Sequence, residues 1–226
     1  MAPTIVAIDG PSGVGKTTTS KLVAERLGLP HIDTGAMYRA LALKAKRSGI
    51  AFDDAERLAA LASSTVIDFV PGTRPPRVLL DAADVSDEIR TPEISMGAST
   101  VSSVPAVRRA LVRMQQDLGA RAGGVLEGRD IGTKVFPGTP HKFFLDASPA
   151  VRAERRFREL QSKGAEVPLE TVAREMEERD RQDSTRADSP LTCDESYFRI
   201  DTSALSIAGV VDAIVARISA SNQVAS

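Results

Sequence analysis

An α/β fold is predicted by three features of this 226-residue sequence. A short β-branched apolar run, Thr4 to Ile8, leads into a glycine-rich loop and then a helical stretch, Lys16 to Leu27. Short apolar runs and helical patterns go on alternating toward the C-terminus. One stretch, near 65–86, breaks that alternation and reads as a small antiparallel insert of two or three strands.

Each element follows from its residues. The first helix stops at Gly28, with Pro30 beyond it. His31 and Ile32 form a short strand before Asp33-Thr34-Gly35. A helix from Ala36 to about Ser48 carries Met37, Leu41 and Ala45 on one face and closes at Gly49; Glu56 to Ala62 is another short helix. Thr65 to Val70 and Arg77 to Leu80 are strands separated by the turn-rich PGTRPP, and Asp81 to Asp84 is a further turn. Helix resumes after Thr91-Pro92, and a second helix starts at Pro105. Its apolar stripe is Val107, Leu111, Met114 and Leu118, and Gly123-Gly124 ends it. Val125 to Glu127 and Lys142 to Asp146 are strands. Ala150 to Lys163 and Leu169 to Arg181 are charged helices. Tyr197 to Ile200 is the last strand, and Ile207, Val210, Val211, Ile214 and Ile218 form the core face of the closing helix. Ser219 to Ser226 are mostly small and polar and expected to fray.

The totals exclude several classes. Apolar residues make up 42% and charged residues 26%, with a net charge of −1, so no polyanion-coating surface is indicated. Aromatics are 4% and Trp is absent, which argues against base stacking on nucleic acid. The single cysteine, Cys193, cannot form an internal disulfide and is read as an inert side chain. No apolar run reaches the ~20 residues of a membrane helix. MAPTIVAIDG lacks a basic n-region and reads as a first strand, so the expected location is the cytoplasm.

Gly10-Pro11-Ser12-Gly13-Val14-Gly15-Lys16-Thr17 fits G-x-x-x-x-G-K-[ST] at every fixed position, between a strand and a helix. Glycines let the backbone fold so that successive N–H groups point at phosphate oxygens. The helix that follows adds its positive end. Lys16 then reaches the β- and γ-phosphates, and the Thr17 hydroxyl takes one Mg2+ position. ATP and Mg2+ are the expected cofactors.

The rest of the sequence narrows the class. The guanine-reading N-K-x-D string is absent, and so is the acidic strand end of hydrolytic P-loop proteins; the nearest match is Gly124 to Glu127, followed by Arg129-Asp130. Arg152, Arg155, Arg156 and Arg158 crowd one helix, and Arg174, Arg179, Arg181 and Arg186 the next segment. Taken singly they suit i,i+4 pairs with Glu154, Glu159, Glu175 and Glu178. Taken together, beside a phosphate loop, they read as a mobile cationic cover for a triphosphate. A phosphate monoester has a second pKa of about 6, so such an acceptor needs positioning rather than a general base. His31 and His141 are accordingly read as structural.

Six strings in order carry a resemblance: DGPSGVGKTT at 9–18, IDTGAMYR at 32–39, DVSDEIR at 84–90, EGRDIGTKVFP at 127–137, FFLDA at 143–147 and RADSPL at 186–191. Together they resemble bacterial cytidylate kinases, a family of P-loop nucleoside monophosphate (NMP) kinases, over nearly the whole chain. The resemblance implies a three-layer fold with a five-stranded parallel sheet flanked by helices, in a single kinase domain. It implies an NMP-binding part at about 34–108, with the β insert near 65–86 inside it, and a lid at about 152–168.

The resemblance also implies ATP-dependent phosphorylation of CMP and dCMP, by a monomer acting on small molecules. Rival readings are another small-acceptor kinase (UMP, AMP or shikimate) and a nucleotide-dependent switch protein. By position, Gly10 to Lys16 with Thr17 and Thr18 would bind ATP, with Arg155. Thr34 and Arg39 would touch the acceptor phosphate or its surroundings. Ser99, Arg108 and Asp130 would read cytosine. Arg179 and Asp183 would approach the ribose. Lys16, Arg129 and Arg186 would serve catalysis, with Arg129 and Arg186 holding phosphates. Gln182 and Ser184 to Thr185 differ from the charged versions of the family.

Overall fold

The computed structural model describes residues 3–70, 76–162 and 164–224. Most of the expected PGTRPP turn, the last residue of the expected helix ending at Lys163, and the terminal Ala225 and Ser226 lie outside the described residues.

A five-stranded parallel sheet is flanked by helices. Its strands are β1 (Ile5–Asp9), β2 (His31–Asp33), β6 (Gly124–Gly128), β7 (His141–Asp146) and β8 (Phe198–Asp201), in the order β2-β6-β1-β7-β8. The other three strands, β3 (Ile67–Val70), β4 (Arg77–Leu80) and β5 (Ala83–Asp84), form a separate antiparallel sheet. Central strand β1 is apolar at successive positions because both its faces are covered: Val6, Ala7 and Ile8 are fully buried. It runs parallel to β7, with Ile8 opposite Phe143, and β7 runs parallel to β8.

The chain divides into two compact units, 1–5 with 29–126, and 6–28 with 127–226. In the first unit, α2 (Thr34–Arg47) starts at Asp33, whose carboxylate accepts from the Ala36 amide. It packs on α4 (Pro92–Ser102), where Gly97 leaves room for Phe52: a Cβ there would lie 2.5 Å from the ring. The short α3 (Ala55–Ser63) is capped by Asp54 and packs on α5 (Pro105–Ala122). The buried face of α5 holds Val107, Leu111 and Leu118 as read. It also holds Arg108 and Gln115, whereas Met114 is only half-buried.

The β insert, read as two or three strands, has three, and its first strand begins at Ile67 rather than Thr65. The expected Asp81–Asp84 turn is tighter, because Asp81 and Ala82 both take left-handed backbone (φ 48° and 69°). Ala83 and Asp84 can therefore pair back on β4 as a third strand. Asp81 also secures the strand entrance: it accepts from the Val66 amide and pairs with Lys44 of α2 at 2.7 Å.

In the second unit, α1 (Lys16–Leu27) ends at Gly28 (φ 66°), whose N–H returns to Ala24 and Glu25 carbonyls. It packs on α8 (Ile207–Val224). Val210, Val211, Ile214 and Ile218 of α8 are buried as expected, but Ile207 is 37% exposed, since it opens the helix. Ser219 to Val224, read as frayed, are helical. Helices α6 (Pro149–Ser162) and α7 (Leu169–Thr185) pack on each other through Ala153, Val172 and Met176, flanked by Phe157 and Leu160. The last strand begins one residue later than read, leaving Tyr197 just before it.

A π-helical turn at Ile131–Val135 and a 3-10 turn at Glu88–Arg90 have no counterpart in the sequence reading. No helix among the described residues is long and apolar enough to cross a membrane.

Candidate active site

The phosphate loop occupies the turn between β1 and α1. Gly10, Gly13 and Gly15 all have positive φ (147°, 79° and 89°), a conformation that side chains resist. Gly10 is also crowded: a Cβ there would lie 2.1 Å from the Leu145 carbonyl oxygen of β7. Gly13 is covered by α6 and α7, with the Met176 methyl 2.8 Å and the Arg152 carbonyl 3.0 Å from a Cβ.

Lys16 opens α1 and is buried. Its ammonium donates to the carbonyls of Gly10 at 2.7 Å and Pro11 at 2.5 Å. Burial, and then the positive charge of Arg129, push its proton affinity well below that of an ordinary lysine; Arg179 acts in the same direction. Glu127 and Asp9 act in the opposite direction. An anion arriving at this loop would favour the charged ammonium.

Thr17 is exposed at the start of α1, and its hydroxyl donates to Glu127 Oε2 at 2.9 Å. Glu127 is 4% exposed at the end of β6. A hydroxyl and a carboxylate oxygen side by side fit the hard, oxygen-seeking Mg2+. In the sequence Glu127 stands only as the end of the nearest match to an acidic strand end, with no ligand role. Its signal was an acidic residue ending an otherwise apolar strand, Gly124-Val125-Leu126.

Three of the expected residues meet directly. Asp183, near the end of α7, accepts from Arg129 Nε at 2.8 Å and from Arg186 Nη1 at 3.1 Å. Burial works against the Asp183 carboxylate, but the Arg129 ion pair outweighs it and holds the carboxyl below its usual range. Arg186 is fixed further by donating to the Ser189 carbonyl at 2.6 Å. Asp130 is itself buried, and its carbonyl accepts from Lys134 and Val135 in the π-helical turn.

The arginines of α6 and α7 divide into two sets. Arg156, Arg158 and Arg181 pair with Glu159, Glu154 and Glu178 on their own exposed helix faces. Arg152 is buried and braces the loop, donating to the Ser12 carbonyl at 3.3 Å, to the Ala147 carbonyl at 3.1 Å and to Asp180. Arg155 donates to the hydroxyl and carbonyl of Thr202, at 3.1 and 2.6 Å. The Thr202 hydroxyl lies 3.2 Å from the Val14 carbonyl, so Arg155 reaches the loop through it. Asp180 and Thr202 carried no signal in the sequence, because their partners lie far along the chain, and Arg152 stood there only as one of the clustered arginines.

In the first unit, Thr34 is buried at the start of α2, and Arg39, one turn on, pairs with Asp33 at 2.8 Å. Burial opposes the Asp33 carboxylate; Arg39, His31 and the Ala36 amide prevail and keep its carboxyl low. A hydroxyl and a guanidinium at a helix N-terminus suit an anion. Arg108 is 2% exposed rather than solvent-facing, and its guanidinium lies over the Tyr38 ring at 5.6 Å. It also donates to the Ser102 carbonyl at 3.3 Å, and the Ser102 hydroxyl donates to the Ser99 carbonyl at 2.7 Å.

The chain matches the cytidylate kinase family over residues 6–220. It is 49% identical to a cytidylate kinase of Solibacter usitatus over 213 residues, 93% of this chain and 90% of that one. It is 50% identical to a cytidylate kinase of a Geobacter species, over 92% of this chain and 89% of that one. Among solved structures, an uncharacterized protein from Eubacterium ventriosum shares the fold at 13% identity, with a TM-score of 0.52 over 96% of this chain and 98% of that one.

Proposed function

This chain belongs to the cytidylate kinase family, and we propose that it transfers the terminal phosphoryl group of ATP to CMP and dCMP. The observation that carries the reading is the glycine-built phosphate loop opening on the buried Lys16, with Arg129 and Arg186 both held by Asp183.

The chemistry follows from charge. Both reactants are anions, so the barrier comes largely from bringing two sets of negative oxygens into line. Lys16 and Arg129 are already held in place, so little reorganisation is needed when charge moves between donor and acceptor. Asp183 holds Arg129 and Arg186 by two separate oxygens, which sets the direction of both guanidinium groups. Thr17 and Glu127 would hold Mg2+, which supplies neutralisation of the phosphate oxygens when bound.

In this reading Gly10 to Lys16, with Thr18 and Arg155, serve ATP. Thr34 and Arg39 serve the acceptor phosphate, and Arg179 and Asp183 the ribose. Ser99, Arg108 and Asp130 are the contacts to cytosine. A carboxylate such as Asp130 accepts from the cytosine amine, whereas uracil offers a carbonyl there. Leaving that buried pair unmatched costs ~1–3 kcal/mol, or about one to two decades of preference. Residues 34–108 act as the NMP-binding part and about 152–168 as the lid. The protein works in the cytoplasm as a monomer on small molecules.

The test is ADP release from ATP–Mg2+ with CMP, dCMP, UMP, AMP, GMP and shikimate in turn. CMP is expected to stimulate most and UMP less. Strongest stimulation by another acceptor would overturn the cytosine contacts, and no stimulation by any would overturn the kinase reading.

A further inference from the structure

Asp9 ends β1, immediately before the phosphate loop, and is fully buried. The transfer chemistry gives it no role, yet its carboxylate is fully engaged. Oδ1 accepts from the Ile131 amide at 3.0 Å, and Oδ2 from the Gly132 amide at 2.9 Å and the Tyr197 hydroxyl at 2.7 Å.

These two amides open the π-helical turn Ile131–Val135, and Arg129 and Asp130 come directly before it. Asp130 is tied into the same turn through its carbonyl. Tyr197 backs the turn from the side: a Cβ on Gly132 would lie 2.7 Å from the Tyr197 oxygen. The Tyr197 ring is itself held edge-on to Phe144, with centroids 5.9 Å apart. A run of backbone with a rare hydrogen-bonding pattern is thus gripped by one buried acid and one buried phenol.

We propose that Asp9 and Tyr197 are a positioning pair that fixes the Ile131–Val135 turn, and thereby sets how tightly Arg129 and Asp130 hold the acceptor nucleotide. Neither residue touches the reacting atoms. The inference rests on the assignment of Arg129 and Asp130 to the acceptor.

The grip depends on ionisation. The carboxylate accepts from all three donors; a proton on Oδ2 reverses the bond with the Tyr197 hydroxyl, which must then accept, and weakens the hold on the Gly132 amide. Burial lifts the Asp9 carboxyl to about 6 against the pull of the Gly132 and Ile131 amides and of Tyr197, and the charge of Asp130 adds to the lift. Lys16 and Arg129 are the cations that feel Asp9 from the other side. Removing the Tyr197 hydroxyl takes away a donor to the carboxylate, so it moves the Asp9 pKa further up.

The experiment compares wild type, Tyr197→Phe, Asp9→Asn and the double variant, with ATP–Mg2+ and CMP, across about pH 5 to 8. Tyr197→Phe keeps the ring and its packing, so it decides the matter even if Asp9→Asn does not fold. The expected result for Tyr197→Phe is a KM for CMP raised about fivefold or more, with the KM for ATP within about twofold of wild type. The acid limb of its kcat/KM for CMP moves to higher pH. The phosphate of CMP titrates near 6 in every variant and so cancels from that comparison. Asp9→Asn raises the KM for CMP about tenfold or more, and the double variant is no worse than it, because the pair acts as one unit. A KM for CMP near wild type in Tyr197→Phe, an equal rise in both KM values, or an unmoved acid limb would each overturn the proposal. A wild type inert toward CMP would instead bring down the acceptor assignment, and the proposal with it.

Discussion

Replacing Asp183 by Asn tests whether the site is held together by charge or merely by shape. Asn has the same outline but one acceptor oxygen. It can keep the bond from either Arg129 or Arg186, and its amide then faces the other guanidinium, donor to donor. One charge-assisted hydrogen bond is lost, worth ~1.5–3 kcal/mol, and a buried donor is left without its acceptor, worth ~1–3 kcal/mol. Two contacts moderate the loss: Arg186 retains the Ser189 carbonyl at 2.6 Å, and Arg129 the Gly128 carbonyl at 3.3 Å. The expected destabilisation is therefore about 3 kcal/mol. At ~2–4 °C per kcal/mol for a chain of this size, Tm falls by ~6–12 °C.

The pH dependence gives a second handle. The folded-state carboxyl of Asp183 is depressed, so its contribution is full above the unfolded value of about 3.9. It is lost as pH falls through the lower folded value. Wild type and variant should differ fully at neutral pH and converge only in strong acid. Thermal unfolding followed by circular dichroism, from neutral pH downward, reads both effects. A neutral-pH gap under about 2 °C, or a gap that does not shrink in acid, would refute the reasoning.

Three further outcomes are expected. Lys16→Ala removes charge at the transferring group and lowers kcat by about two decades or more; a near-normal kcat in a coupled ADP assay would sink its role. Gly10→Ala drives a methyl to within 2.1 Å of the Leu145 carbonyl, so β1 and β7 must part. Its Tm should fall by more than that of Asp183→Asn, and a soluble variant with wild-type Tm would contradict the packing described. Asp130→Ala is expected to lower kcat/KM for CMP by about one to two decades and for UMP by much less, measured side by side; equal losses would remove Asp130 from base recognition.

Much of the fold was legible because its punctuation is local. Gly28 and Pro105 mark helix ends by backbone chemistry that needs no distant partner, and the phosphate loop combines fixed spacing with a preceding strand. What escaped depends on contacts made across the sequence. The turn at Ile131–Val135 is held by Asp9, 122 residues away, and no periodicity within the turn announces it. Arg108 lies on the buried face of α5 because Tyr38 and the Ser102 carbonyl receive it; composition alone would place an arginine outside. The arginines of α6 looked alike in sequence, yet Arg152 is buried and Arg158 is not. Glu127 ends a short apolar run, and its place beside the Thr17 hydroxyl shows only in the folded chain.

The crowding of Gly13 beneath Met176 and Arg152 bears on any attempt to redesign this chain. The loop and the α6–α7 hairpin share one packed surface, and Arg152 stitches it at the Ser12 carbonyl. Sequence libraries confined to residues 10–17 would therefore fill mostly with clashing members, whatever their chemistry. Varying positions 152, 176 and 180 alongside them would open that space. A hairpin borrowed from another kinase would need to arrive with its own loop.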